Sequence, residues 1–439
     1  MLRRVLALSA IALAGWCGLA GAQAFSARRM AMGGVILAGG ELGSDAANVA
    51  FRAVPRAPNS GSGITLPLGL IPVLADPPQF DPDKPDFNIY EWANLAYNPP
   101  WNLQLIAPDT PSNDITVAIG RNHLAVDLGD VKSIFPEDHS KLGSVVNGPS
   151  LGIGFRRFFV AAAPLVHYEN DLSFNDALRG AVNGEEFRTN TEYTMTDHGR
   201  GQAAVGVHLG WAGALMTAGD PRGKGTGLYA GARVKLMRGL AYAAGDGRVS
   251  FATHDTLFAM DPVDVGYAGH YYDAGPDGGR FGRGLDLGAV WLGGGFEAGL
   301  GVNDIGTTFD WRVRETVARR DTTTGDYVQD VVATDRPLTS TVPATVTANA
   351  AARLGHLTLA ADVVRGVNST TSHAGAEYWF SSLALRAGAY LDPNTLLQYT
   401  AGAGLRFGSL GLDLALATNS RNLSRERGLE LGAGLSLYH

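Results

Sequence analysis

Leu285 to Gly306 reads LDLGAVWLGGGFEAGLGVNDIG. Leu285, Leu287, Ala289 and Trp291 share one parity, with Asp286 and Gly288 between them. After Gly293-Gly294-Gly295 the apolar parity becomes Phe296, Ala298, Leu300 and Val302, against Glu297, Gly299, Gly301 and Asn303. Period two is the mark of a β-strand with unlike faces. The glycine run between two such strands marks a tight hairpin turn. The fold class is therefore all-β, and one question remains: does the oily face meet a protein core or lipid?

The alternation recurs from about residue 150 to the C-terminus. It predicts strands near 150–156, 158–168, 202–216, 226–238, 285–292, 296–302, 344–354, 357–364, 371–380, 382–391, 398–407, 409–417 and 428–438. Each is close to the length of a tilted membrane-crossing strand, about 9–11 residues. An even number follows if both termini lie on one side, and His123 to Gly129 (HLAVDLG) supplies the missing strand. Connections alternate as well. Gly293–Gly295, Gly355-His356, Ser381-Ser382 and Gly408-Ser409 are minimal, whereas 303–343, 365–370, 392–397 and 418–427 are longer and more polar. Within 303–343, Phe309-Trp311-Val313 and Tyr327 to Val332 alternate again, as a hairpin reaching beyond the membrane would. Short turns on one rim and long loops on the other suit a transmembrane β-barrel.

These features define the expected architecture: a single transmembrane antiparallel β-barrel of about 14 strands with an N-terminal hatch-like segment. The apolar parity, mostly Leu, Ala and Val, faces outer-membrane lipid. The opposite parity lines the lumen and any transport path with Arg233, Lys235, Glu297, Arg353, Asp362, His373, Glu377, Arg386, Arg406 and Asp413. Trp211, Trp291, Tyr378, Trp379, Phe380, Tyr399, Phe407 and Tyr438 fall towards strand ends, where aromatic girdles sit. Period alone also fits a secreted β-sandwich or β-solenoid with solvated charges, such as an adhesin.

The chain opens MLRRVLALSAIALAGWCGLAGAQA: a basic start, an apolar stretch and an Ala22-Gln23-Ala24 cleavage site. Residues 1–24 read as a secretory signal peptide. Cys17, the only cysteine, lies within it, so the exported chain holds neither a disulfide nor a thiol. Trp16 before Cys17 is too large for a lipoprotein signal. The formal charge is −7, and loss of Arg3 and Arg4 makes it more negative. That balance argues against nucleic acid as a partner. Residues 25–112 lack the alternation and read as a hatch or periplasmic segment; 113–439 read as the barrel.

Signals for catalysis are weak. No G-x-S-x-G, H-E-x-x-H or C-x-x-C is present. His373 and Glu377 share a face, but four residues along a strand separate them by about 13 Å. Asp81, Asp83 and Asp86 resemble a calcium loop interrupted by Pro82 and Pro85. GAGLRFGSLG (Gly402 to Gly411) mimics a dinucleotide fingerprint without the helix that cradles phosphate. No catalytic residue, metal site or cofactor is expected.

ARRMAMGGVILAGGELGSDAAN (Ala27 to Asn48) resembles the A-R-x-M-x-M-G-G opening of the fatty-acid-transporter-like outer-membrane barrels, a group with FadL-type hydrocarbon transporters, PorV-type secretion components and TraF-like proteins. GLGVNDIG (Gly299 to Gly306) is similar to a strand-to-loop element in the middle of those chains. The family's Asn-Pro-Ala is absent, with VAFRAVPRAP after Asn48 and Tyr97-Asn98-Pro99-Pro100 only a distant substitute, and the chain ends Leu-Tyr-His where barrels commonly end in Phe. The resemblance implies that the N-terminal segment sits in the lumen as a hatch, with Met30, Met32, Gly33 and Gly34 against the wall. It implies transport of hydrophobic small molecules across the cell outer membrane. The alternative is a non-transporting barrel serving a structural role or a secretion or conjugation system. The expected partners are outer-membrane lipid, an apolar ligand and the barrel-assembly machinery.

Overall fold

A computed structural model describes residues 26–38, 44–57, 61–75, 102–106, 116–120, 123–127, 139–148, 150–255, 264–320, 326–391, 397–418 and 428–438. The signal peptide, Cys17, the Asp81–Asp86 segment and Tyr97–Pro100 lie outside these residues.

The strands are β1 (Gly61–Leu66), β2 (Leu103–Ile106), β3 (Thr116–Gly120), β4 (His123–Asp127), β5 (His139–Asn147), β6 (Leu151–Phe155) and β7 (Phe158–Phe174). Then come β8 (Glu192–Ala218), β9 (Thr226–Ala252), β10 (Asp264–Ala274), β11 (Gly279–Gly293), β12 (Phe296–Arg320), β13 (Tyr327–Thr341) and β14 (Thr345–Leu354). Six regular strands finish the chain: β15 (Leu357–Arg365), β16 (Thr370–Phe380), β17 (Leu383–Leu391), β18 (Leu397–Phe407), β19 (Leu410–Thr418) and β20 (Leu429–Tyr438). Eighteen of them form one antiparallel sheet, and β3 pairs only with β4.

Four pairs of these strands are collinear pieces of one stave. β10 and β11 both run between β9 and β12. β13 and β14 share β12, β5 and β6 share β7, and β1 and β2 share β20. The eighteen strands thus reduce to fourteen staves among the described residues. Each of the thirteen sequence-predicted strands coincides with one. The fourteenth does not come from His123–Gly129, whose described part, His123–Asp127, pairs with Thr116–Gly120 outside the barrel sheet. It comes instead from β1 and β2, inside the segment 25–112 that lacks a long alternating run. Neither piece is long enough to show a period by itself, and only pairing with β20 makes them wall. Among the described residues the far edges of β1–β2 and β5–β6 carry no ladder bonds.

The apolar parity points outward. Val234 and Leu236 are 44% and 38% exposed, whereas Arg233 and Lys235 beside them are 2% and 0% exposed. Leu410, Leu412, Leu414 and Leu416 are exposed around a buried Asp413. A soluble sandwich would bury these leucines and solvate the charges. The reversed arrangement needs hydrocarbon outside, and a closed barrel is the sheet that satisfies its amides there. This is a transmembrane β-barrel.

Aromatic side chains crowd the short-turn rim on the outer face: Phe155, Phe158, Trp291, Phe296, Tyr378, Phe380 and Phe407 are all exposed. Trp379 and Tyr438 are exceptions to the expected girdle. They are 4% and 3% exposed and meet edge-on inside the barrel, 5.8 Å between centroids. Their parity is that of the inward charges, so sequence position near a strand end placed them correctly in height and wrongly in face.

The described part of 303–343 is a hairpin of β12, which continues to Arg320, and β13 (Tyr327–Thr341). β12 runs on to Arg320 because Asp304, at φ 62°, opens a bulge against β11. A bulge turns two consecutive side chains to one face, and both Asn303 and Asp304 are buried. Beyond the bulge Phe309, Trp311 and Val313 point inward at 0–1% exposure, on the same odd positions as Glu297 and Asn303. They pack with Leu165, Met237, Tyr242 and Val342 in an apolar cluster inside the long-loop half. Trp311 Nε1 donates to Ser340 Oγ at 2.8 Å.

Candidate functional site

The N-terminal segment lies inside the barrel against the charged parity of the wall. It starts with one short helix, α1 (Ala27–Ala31), capped by Ser26, whose Oγ accepts from Arg29 N at 3.3 Å. Gly33 and Gly34, at φ 72° and 85°, then turn the chain. Ile36, Ala38, Ala50, Phe51 and Val54 pack on Tyr229, Val290 and Leu292 of the wall. Met30 and Met32 are at most 1% exposed.

Four stations fix this segment. At the first, Arg28 forms a bidentate pair with Glu377, Nε to Oε2 at 2.8 Å and Nη2 to Oε1 at 2.7 Å. Arg386 bridges Glu377 and Asp413, at 2.8 and 2.7 Å, and Ser436 hydrogen-bonds Asp413. The four charges of Arg28, Glu377, Arg386 and Asp413 cancel, as buried ions must.

At the second, Gly33 N donates to Thr400 Oγ1 at 2.8 Å, and Thr400 in turn donates to Ala31 O at 3.0 Å. At the third, Ile36 N donates to Asp362 Oδ2 at 2.6 Å, while His373 Nδ1 lies 2.6 Å from Oδ1. At the fourth, Ala38 N donates to Glu297 Oε1 at 2.7 Å. Arg353 and Arg222 hold the other oxygen of Glu297, at 2.9 and 3.2 Å. Arg222 comes from the turn between β8 and β9 and also donates to Ala38 O and Pro55 O, both at 2.9 Å. Burial, with Arg353 close by, draws the Arg222 pKa down, and Glu297 opposes the fall.

A further charged knot lies beyond these stations. Lys235 Nζ contacts Asp286 Oδ1, Asp304 Oδ1 and Asn147 Oδ1 within 2.8–2.9 Å. Arg233 Nε donates to Asp286 Oδ2 at 2.6 Å. Asp304 N donates to Asp286 Oδ1 at 2.8 Å, so the bulge is locked by the same carboxylate. Asn48 and Asn303 tie the 3-10 turns Ser44–Ala46 and Val49–Arg52 to this side: Asn48 Nδ2 donates to Ala289 O and Asn303 Nδ2 to Ala47 O.

The glycine content of the inward parity has its reason here. A Cβ on Gly375 or Gly388 would lie 2.3 Å from the backbone of Met32 or Gly33, and one on Gly301 would lie 2.2 Å from Ala47 O. Backbone of the segment occupies the volume that side chains would fill.

Of the ten wall residues expected from the sequence, nine lie in these knots. Arg406 does not: it stands at the short-turn rim, its Nε donating to Gly408 O and its guanidinium over the Tyr438 ring. His373 and Glu377 serve separate stations. Sequence reading missed Arg28, Asp45, Asn48, Asn147, Arg222, Asp286, Asp304 and Thr400. Asp286 shared the inward parity and Arg28 sat in the N-terminal motif, so both were legible. Arg222 and Asn147 carried no signal, because only the fold brings turn and broken stave to the lumen. Among the described residues no group of three or more His, Cys, Asp or Glu is arranged to hold a metal.

No family model matches the sequence, and no curated protein does. Among solved structures, the chain is similar to the Pseudomonas putida toluene transporter TodX, at 12% identity over 69% of this chain and 90% of that one, TM-score 0.26. The CymD monoaromatic hydrocarbon channel aligns at 13% identity over 71% and 91%, TM-score 0.29. A mutant of the Rh. blastica porin aligns at 9% identity over 68% and 99%, TM-score 0.24.

The charges inside the barrel are compensated in pairs and by the segment's amides, beside two apolar clusters.

Proposed function

We propose that the protein is an outer-membrane channel for hydrophobic small molecules, with residues 26–54 acting as a hatch. One observation carries this reading: amides and Arg28 of the segment satisfy Asp362, Glu297 and Glu377 of the wall. The inside of the barrel therefore holds apolar contacts, such as Ile36, Phe51 and Val290 beside Tyr229, in place of exposed charge. An apolar solute crossing there leaves water without meeting an unpaired ion. Short turns on one rim orient that rim to the periplasm.

Uptake of labelled toluene and labelled oleate into proteoliposomes tests the proposal. Wild type should take up at least one of them faster than empty vesicles and conduct ions poorly. Deletion of residues 26–54 should raise ion conductance, because the charged wall is then wetted. Absence of uptake of both solutes by the folded wild type would reject transport.

A second reading has its own support. The inward Phe309, Trp311 and Val313 fill the long-loop half above the segment, which suits a closed barrel serving as a structural or secretion-system component. Under that reading, the deletion raises conductance while wild type takes up nothing.

A further inference from the structure

Three arginines face outward where the wall otherwise meets lipid. Arg238 is exposed on β9 between Leu236 and Leu240, opposite Phe281 of β11. Arg283, also exposed, lies two residues farther along β11, opposite Leu236. Arg280 joins them because β11 bulges against β12 between Gly279 and Gly282, so that Arg280 and Phe281 are both exposed. The three therefore form one patch on two adjacent staves.

None of the three makes a hydrogen bond or ion pair among the described residues. That sets them apart from other arginines of the long-loop half. Arg200, Arg248, Arg312, Arg314, Arg319 and Arg336 each have a carboxylate partner. Asp310, the outward acid across the bulge on β12, accepts from Thr339 instead.

Height on the wall decides what can sit there. Trp291, in the aromatic band of the short-turn rim, is paired with Leu228, and Arg238 lies ten residues farther along β9. At 3.3 Å per residue and a strand tilt near 40°, the arginine stands about 25 Å above the tryptophan, which is the height of the apolar band. Arg283 sits lower, and its long stem can carry the guanidinium up to the same level. The patch thus lies at the boundary between hydrocarbon and headgroups, on the rim of long loops, which faces outward from the cell. An unpaired cation is cheap at that depth and costly lower down. Guanidinium groups are matched in geometry and charge to phosphate oxygens.

We propose that Arg238, Arg280 and Arg283 bind the phosphate groups of an outer-leaflet lipid headgroup, with Phe281 against its acyl chains. The inference rests on the membrane orientation of the barrel and is independent of whether the lumen transports.

The test is a titration of the detergent-solubilised, full-length mature protein with diphosphoryl lipid A, read by native mass spectrometry. The dephosphorylated glycolipid and inorganic phosphate serve as comparison probes. The triple variant R238Q/R280Q/R283Q should bind diphosphoryl lipid A about tenfold more weakly or worse. Arg319→Gln, whose arginine is already paired with Asp330, should bind as wild type does. Wild type should hold the dephosphorylated glycolipid no better than the triple variant does. Inorganic phosphate in excess should fail to displace the lipid; complete displacement would assign the patch to free phosphate and overturn the proposal. Equal binding of diphosphoryl lipid A by wild type and triple variant would also overturn it. Heat-modifiable migration verifies that each variant is folded, and the three single variants, each expected to weaken binding, give the same reading if the triple does not fold.

Discussion

Arg28 and Glu377 are separated by 349 positions and joined by two parallel hydrogen bonds of 2.8 and 2.7 Å. The pair closes one of the long loops that tether the N-terminal segment to the wall. Its two ends are not equivalent, since Glu377 also holds Arg386. Arg28→Ala leaves Glu377 with one partner, at a cost of about 2–3 kcal/mol. Glu377→Ala leaves two buried guanidiniums facing each other, at about 3–5 kcal/mol. Denaturant unfolding of the refolded barrel in lipid should give that order; the reverse order would show that Arg386 is held mainly by Asp413.

Gly388 should tolerate no larger residue while the segment is in place. A side chain there meets the Gly33 amide. Gly388→Val is expected to destabilise the closed form by about 1–3 kcal/mol through overpacking. The strain is relieved by expelling the segment, so protease cleavage near Gly33 should become faster while the barrel stays heat-modifiable. Gly247→Ala, into open space, is the control that should change neither.

Lys235 neutralises two aspartates that approach it from β11 and from the β12 bulge. Lys235→Met leaves that charge uncompensated and should cost about 3–5 kcal/mol. Adding Asp304→Asn should recover part of the loss. Thermal unfolding of the single and double variants measures this directly, and an additive double variant would deny the coupling.

Leu414 is 43% exposed and sits mid-strand on β19. For a soluble protein Leu414→Arg would be harmless. Facing the centre of a bilayer, it should cost about 2–4 kcal/mol, against about 0–1 for Phe407→Arg at the rim. Unfolding from lipid vesicles distinguishes the two positions.

Beyond the membrane, Glu315 accepts from Arg336 and lies against His270. The hydrogen bond from Arg336, with His270 adding to it, holds the Glu315 pKa below the ordinary carboxylate range. A folded-state pKa that is depressed gives stability present above the unfolded value, about 4.3. That stability is lost as pH falls through the lower folded value. Amide exchange in β13 should therefore quicken below about pH 4 in wild type, whereas Glu315→Gln should already exchange fast at neutral pH and change little.

Much of this was legible one residue at a time. The parity of Arg233, Lys235, Glu297, Asp362, Glu377, Arg386 and Asp413 announced their face, since a strand offers a side chain only two directions. The hairpin beyond the membrane was legible in Phe309-Trp311-Val313 and Tyr327 to Val332, but the inward direction of those three apolar residues was not, because period two defines two faces without saying which of them is filled by apolar side chains. Trp379 and Tyr438 show the same limit: strand-end position gives height, and parity gives face.

By itself the sequence determined the period, the strand positions and the sign of each face, because these depend on neighbours in the chain. Only the tertiary structure decided that two short pieces near residues 61–66 and 103–106 join β20, that Arg222 reaches the lumen, and that Asp362, Glu297 and Glu377 meet amides or a cation of residues 26–54. Those contacts join residues hundreds of positions apart. Which charge neutralises which is set by closure of the sheet around its own N-terminal segment, and no local pattern encodes it.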